Sequence, residues 1–337
     1  MRLIQEKREK MVKILITGGT GFLGYHLAVE LSKDKNNKIF LASKTLHYED
    51  DGELAKLLSS PNITLIEGDL TNKLSWKKVG SDYDFVYHLV SIKGFKNFNE
   101  IPHEVLRVGI LSTLNVIDWF KFKNGKPQAK ILYTSSNEVY NGGVIAYGKI
   151  TNPTPENIPC VIPDTYDPRW SYAGQKLIGE LLFIHYSKAY NFRMSIVRPV
   201  NIYGPRAGYD GMIPKIIKQV VEHADHFTIL GPEDKRTFCF VEDVVDALIK
   251  VTKSQKTDGQ TYNIGDDHLT SVREITELIF NVAGWHPEKV IFENSPREAV
   301  RNSVPYISKI EKDTGWKPAT SLQKGIEKTV DWYLRHS

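Results

Sequence analysis

As far as Pro199, short apolar runs alternate with segments whose apolar positions recur three and four apart. The runs are VKILIT, KIFLAS, ITLIEGD, DFVYHLVS, AKILYTSS and FRMSIVRP. VKILIT (Val12–Thr17) predicts a strand, and Phe22, Leu23, Leu27, Ala28 and Leu31 share one face of the helix after it. IPHEVLRVGILSTLNVIDWF is another helix. Strands alternating with helices imply βαβ units and a parallel sheet. Beyond Pro199 the rhythm changes: GYDGMIPKIIKQVVEHA and SVREITELIFNVAGW read as helices between turn-rich stretches, and Ser271 with Glu274 forms a capping box opening the second. The expected fold is α/β. A doubly wound parallel sheet takes residues 11–200, with 236–254 returning to it, and a smaller α/β lobe from 201–235 and 255–337 lies over the sheet's carboxyl edge. Residues 1–10 read as a disordered extension.

A chain of 337 residues, 41% hydrophobic and 25% charged, can bury a sizeable core. Its 44 basic and 40 acidic residues give a formal charge of +4 with no block long enough to form a nucleic-acid arm, which argues against nucleic acid as a partner. No apolar run approaches the roughly 18 residues of a membrane span, and MRLIQEKREK is too polar for a signal peptide. A soluble, cytoplasmic protein without a membrane partner is expected. Cys160 and Cys239 lack paired Cys or His spacing, so neither a disulfide framework nor a metal site is expected.

Gly18, Gly21 and Gly24 in GGTGFLG follow a strand and, with Phe22 and Leu23, open a helix. In that context glycines let the backbone approach a dinucleotide's pyrophosphate, whose charge the helix N-terminus favours. An acid for the adenosine ribose is expected about 20 residues on. FLASKTL instead puts Ala42 in that place, followed by Ser43 and Lys44. A hydroxyl and an ammonium suit a 2′-phosphate, which an acid would repel, so NADP is slightly favoured over NAD. Asp69 and Leu70 in EGDL are placed near the adenine, with an ordinary turn aspartate as the alternative.

TSSNEVY crowds hydroxyls, an amide, a carboxylate and a phenol at a strand end. Ligands sit at such ends, but Ser and Asn also favour plain turns by bonding their own backbone. Tyr172 and Lys176 in RWSYAGQKLIGELL are four apart, hence on one helix face. A nearby ammonium favours phenolate, so a lowered tyrosine pKa suited to proton transfer is expected.

GGTGFLG, YHLVS, TSSNEVY, YAGQK, RPVNIYGPR, RTFCFVEDV, YNIG and TGWKPATSLQKGI together resemble the extended short-chain dehydrogenase/reductases. More narrowly, the chain resembles the nucleotide-sugar epimerase/dehydratase family from Val12 to Tyr333. The resemblance implies a Rossmann-type domain, NAD or NADP, and a nucleotide-diphosphate sugar oxidised at C4. It implies Ser136 as catalytic hydroxyl, Tyr172 as base and Lys176 as holder of the nicotinamide ribose. Glu138 stands where the family's 4,6-dehydratases and uronate decarboxylases carry Glu. Asn137 replaces the acid that many dehydratases carry before it, and an amide cannot donate that proton. An epimerase/dehydratase-type reaction leads. The alternatives are a simple 4-dehydrogenase or ketoreductase, a uronate decarboxylase, which fits less well, and a catalytically silent dinucleotide-binding regulator. Asn201 resembles a substrate-contacting amide, and Arg236 and Arg301 resemble positions that meet the diphosphate or nucleotide ribose. Gly109 lies where relatives often carry Asn. The Ser136-to-Tyr172 interval is longer than usual, and its insertion GGVIAYGKITNPTPENIPC is expected to reshape the pocket mouth. PHEVLRVGILSTLNVIDWF and YAGQKLIGELLFIHYSKAY carry more apolar residues than one buried face requires, and relatives pair these helices, so a homodimer is expected.

Overall fold

The structure is a computed structural model that describes residues 11–44, 51–224, 227–294 and 304–336. The extension at residues 1–10 and Arg301 lie outside the described residues. In chain order the first half holds β1 (Val12–Thr17), α1 (Phe22–Ser32), β2 (Asn37–Ser43), α2 (Gly52–Leu58), β3 (Ile63–Glu67), β4 (Phe85–His88), α3 (Phe95–Glu100), α4 (Pro102–Phe122), β5 (Lys130–Thr134), α5 (Asn141–Tyr147), α6 (Trp170–Tyr190) and β6 (Arg193–Pro199). The second half holds β7 (Ile202–Tyr203), α7 (Met212–Val221), β8 (Phe227–Leu230), β9 (Lys235–Arg236), β10 (Cys239–Phe240) and α8 (Val241–Lys253). It ends with β11 (Gln260–Ile264), β12 (Thr270–Ser271), α9 (Val272–Ala283), β13 (Val290–Glu293), α10 (Ser308–Thr314) and α11 (Leu322–Arg335).

Seven parallel strands form one sheet in the order β11-β6-β5-β4-β1-β2-β3. Parallel strands are covered on both faces, which is why KILYT of β5 is buried at every position. On one face Leu27 and Leu31 of α1 and Val244 and Leu248 of α8 pack against Ile14 and Ile16. On the other, Val116 and Phe120 of α4 and Phe183 of α6 pack against Leu15, Val86 and Ile131. The strand order reverses between β1 and β4, which opens a crevice at their carboxyl ends. A third core, with Ile217 of α7, Ile279 of α9 and Val330 of α11, forms the smaller lobe. The capping box at Ser271 and Glu274 is present.

Two features depart from the pattern-based division. β11 hydrogen-bonds to β6 as the seventh strand, and Ile310 and Trp316 join the sheet-side core, although periodicity alone places all of them in the lobe. A five-residue run carries no mark of the sheet it joins. The insertion after Ser136 is laced to the chain near its end. Thr154 N donates to Val304 O at 2.7 Å, Tyr306 N to Thr154 O at 2.9 Å, and Val304 N to Asn152 Oδ1 at 2.9 Å.

Candidate active site

A cavity of about 710 Å³ runs along the crevice. At one end lies the glycine loop. Gly18 has φ +74°, a conformation that costs glycine little, and a Cβ on Gly24 would collide with Gly18 O. The close turn leaves the N-terminus of α1 without a side-chain cap or an acidic first-turn residue. Its free N–H groups and the dipole make an anion cradle, lined by Gly18, Gly21, Phe22, Leu23 and Gly24. Lys93, in the loop after β4, places Nζ 4.6 Å from the centre of the Phe22 ring. It opens on the cavity, yet burial lowers its pKa, opposed by the charge of Asp210. Pattern reading misses this cation, whose only signal is a basic residue in a loop after a strand.

At the end of β2 the side chains alternate, and the outcome differs by one position from the expectation. Ala42 is buried in the core, whereas Ser43 lines the cavity and its hydroxyl lies 2.7 Å from that of Thr20. Ser43, not Ala42, stands where a ribose-binding acid would be. Lys44 also lines the cavity, with Nζ 3.8 Å from Asp69 Oδ2. The Thr71 hydroxyl, donating at 2.7 Å, holds the Asp69 carboxyl below the usual carboxylate range. Leu70, Thr71, Glu104 and Arg107 complete this end, and Arg107 reaches both Glu104, at 3.1 Å, and Thr71, at 3.3 Å.

Thr134, Ser135, Ser136, Asn137 and Glu138 line the middle of the cavity together with Tyr172 and Lys176. The two readings of TSSNEVY meet here: Ser136 Oγ caps a short 3₁₀ turn by accepting from Glu138 N at 3.2 Å, and it also lies close enough to Tyr172 to act on its pKa. Glu138 accepts from Asn141 Nδ2 at 2.6 Å. Phe98 stacks on Tyr172 with ring centres 4.7 Å apart.

The expected lowering of the Tyr172 pKa is corrected by the structure. Burial pushes it up to about 12, Ser136 opposes the rise, and the charge of Glu138 adds to it. Lys176 Nζ sits 5.8 Å from the Tyr172 ring centre and donates to Thr134 O at 2.8 Å. Burial also takes Lys176 down to about 7, with Glu180 opposing. Behind them Glu180 accepts from Ser135 Oγ at 2.5 Å and from Arg198 Nε at 2.8 Å, so a buried ion pair braces the strand end. His88 lies 2.7 Å from Thr17 Oγ1 and 3.2 Å from Thr113 Oγ1, and burial drops its pKa to about 3, so it is a neutral spacer.

Asn201, at φ +37°, faces the cavity while its Nδ2 donates to Thr237 O at 2.9 Å. Arg236 lies on β9 outside the cavity wall, and its Nε is buried with no partner among the described residues. The insertion also departs from expectation. None of residues 139–171 is among the described residues lining the cavity; Asn152 and Thr154 are bonded instead to residues 304–306.

The profile of the NAD dependent epimerase/dehydratase family matches residues 14–265. The chain belongs to that family. Within it, the chain is 29% identical to a UDP-N-acetyl-alpha-D-glucosaminuronate decarboxylase of Bacillus cytotoxicus over 95% of this chain and 97% of that one. UDP-glucuronic acid decarboxylase 3 of Arabidopsis thaliana is 28% identical over 94% of this chain and 87% of its own length. The fold matches family structures. A UDP-glucuronic acid 4-epimerase from Bacillus cereus, solved with UDP-glucuronic acid and NAD, superposes with a TM-score of 0.84 at 24% identity, covering 97% of this chain and 100% of that one. As in the family's name, the glycine loop and the uncapped helix suit a dinucleotide.

Proposed function

We propose that the protein oxidises C4 of a nucleotide-diphosphate sugar whose C6 is a carboxylate, and that the 4-keto product then loses C6 as carbon dioxide. The observation that carries this reading is Glu138 and Asn137 in one cavity with Ser136 and Tyr172. A carboxylate is present there beside an amide that cannot act as an acid. Dehydration needs a proton for a departing hydroxyl, whereas decarboxylation does not. A 4-keto uronate is a β-keto acid: the C5–C6 bond breaks, its electron pair becomes the C4–C5 enolate, and C5 then takes a proton. Decarboxylase relatives matched over 97% and 87% of their own lengths support the same order of preference.

The bound nicotinamide would accept hydride from C4 and return it. Tyr172 takes the C4 hydroxyl proton in its phenolate form, which the positive charge of an oxidised nicotinamide would favour, Ser136 shares that oxygen, Lys176 holds the nicotinamide ribose, and Glu138 handles the proton at C5. The glycine loop and Lys93 hold the dinucleotide's phosphates, with Asp69 and Leu70 at its adenine. Ser43 and Lys44 receive the adenosine ribose, and the lack of a carboxylate at that strand end supports NADP binding at least as well as NAD. Asn201 contacts the sugar, and Arg236 and Arg301 meet the diphosphate or nucleotide ribose; an Arg236 Nε without a partner among the described residues supports a ligand contact there. The enzyme works in the cytoplasm as a homodimer through α4 and α6. No helix among the described residues is long and apolar enough to cross a membrane.

Incubation with UDP-glucuronic acid, UDP-N-acetylglucosaminuronic acid and UDP-glucose, each with NAD or NADP, tests the reaction by product mass. Loss of carbon dioxide from a uronate is expected. A uronate product of unchanged mass would overturn decarboxylation in favour of epimerisation, and loss of water from UDP-glucose would favour dehydration.

A further inference from the structure

Gly109 sits in the interior of α4, where glycine weakens a helix relative to alanine. The reason lies on α6: a Cβ at position 109 would collide with the side-chain carbonyl of Gln175. Gln175 is itself anomalous. It is 1% exposed, and its Oε1 is buried without a hydrogen-bond partner among the described residues, which native structures rarely tolerate. Its Nε2 donates to Ser91 Oγ at 3.1 Å, and Ser91 lines the cavity. Ser91 belongs to the segment after β4 that abuts the glycine loop, since a Cβ on Gly18 would lie 3.3 Å from both Leu89 C and Val90 N. Among the described residues the Ser91 hydroxyl donates to Ile92 O at 3.4 Å, a long bond that leaves its proton easily redirected. A helix-interior glycine, an amide with an orphaned carbonyl and a hydroxyl on the cavity wall thus form one connected group. Breaches of local rules gather where function requires them.

We propose that Gln175 is a positioning residue: by donating to Ser91 Oγ it turns the hydroxyl's own proton into the cavity, where Ser91 donates to an oxygen of the dinucleotide bound against Gly18. The inference rests on reading the cavity as a dinucleotide site. Gly109 is the partner change that makes room for the amide.

Calorimetric titration with NADH and NADPH, on wild type, Ser91→Ala, Gln175→Met and the double variant, tests it. Methionine keeps the length of the side chain and removes the amide. Each single variant should weaken the tighter dinucleotide about three- to tenfold, the range of one neutral hydrogen bond. The double variant should bind no more weakly than Ser91→Ala, because both changes remove the same bond. An unchanged Kd for Gln175→Met, or losses that simply multiply in the double variant, would overturn the inference while leaving the dinucleotide site standing. A wild type that binds neither dinucleotide would sink both. Should Gln175→Met fail to fold, Gly109→Ala serves in its place. It drives the amide aside, so it should show the same loss, and Gln175→Ser added to it should relieve the strain on folding without restoring affinity. A Gly109→Ala protein that folds and binds as the wild type does would equally refute the inference.

Discussion

Tyr172 carries proton transfer in the proposed reaction, and with burial holding its pKa at about 12 it enters the free protein as a phenol. Tyr172→Phe should lower kcat by about 10²–10⁴, the usual loss with a general acid/base, while dinucleotide binding is largely kept. Turnover at the wild-type rate would remove Tyr172 from this role. Lys176 sets a pH dependence. The groups facing it are Glu180, Tyr172, Tyr133 and His88, and burial brings it down to about 7. A base is charged below its pKa, so the charge-assisted bond to ribose is present at low pH and lost as pH rises through about 7. Dinucleotide affinity measured across that interval should fall, and Lys176→Met should flatten the profile. At the other end of the cavity, Lys44→Ala should weaken NADP about three- to tenfold and spare NAD, a modest effect because the ammonium is largely exposed. Equal affinities before and after would make Lys44 a solvated surface lysine. Ser136, Tyr172 and Lys176 are legible in the sequence because a strand end and an i, i+4 spacing fix where they point. Ser43 is less legible. Beyond the exposed Lys38 both faces of KIFLAS are at least partly covered, so no polar alternation sets the register of its end, which lands one residue from where counting places it. Lys93, Glu104 and Arg107 are illegible for another reason: they reach the cavity from a loop and a helix start that only the fold brings there.

α4 and α6 pack against each other and the sheet, yet each keeps an apolar outer edge: Leu111 is 37% exposed, Ile178 39% and Leu181 50%. Three side chains of this kind on adjoining helices are what a second copy would cover. Wild type should show a dimer mass by light scattering at micromolar concentration, and Leu181→Glu should shift it towards the monomer by placing a charge in the interface. A monomeric wild type would refute the homodimer. The amphipathic pattern of these helices shows in the sequence, but not their division of labour. The glycine at 109 and the glutamine at 175 are ordinary when read separately, and only contact between the helices makes them one feature.

Across the whole molecule, Arg206 ties the lobe's connection to the sheet domain. Set at φ +67°, it pairs with Asp51 and Glu53 at the start of α2 and lies 4.1 Å over the Tyr25 ring, while Trp332 of α11 donates to the same Glu53 at 3.1 Å. The alternating strands and helices make the sheet legible in outline, but its closing strand is read into the wrong half, because β11 joins by pairing rather than by composition. That strand bears on how the gene could be divided. A fragment ending at Pro199 would carry the glycine loop and the Ser136–Tyr172–Lys176 set, yet β6 would present a raw row of N–H and C=O groups, and Tyr87, Leu132 and Val197 would lose the cover of α8. Such an edge recruits other chains, so the fragment would self-associate instead of folding as a portable cofactor module. Complementation by two halves would need the stretch from Cys239 to Ile264 to travel with the first half, against the order of the chain.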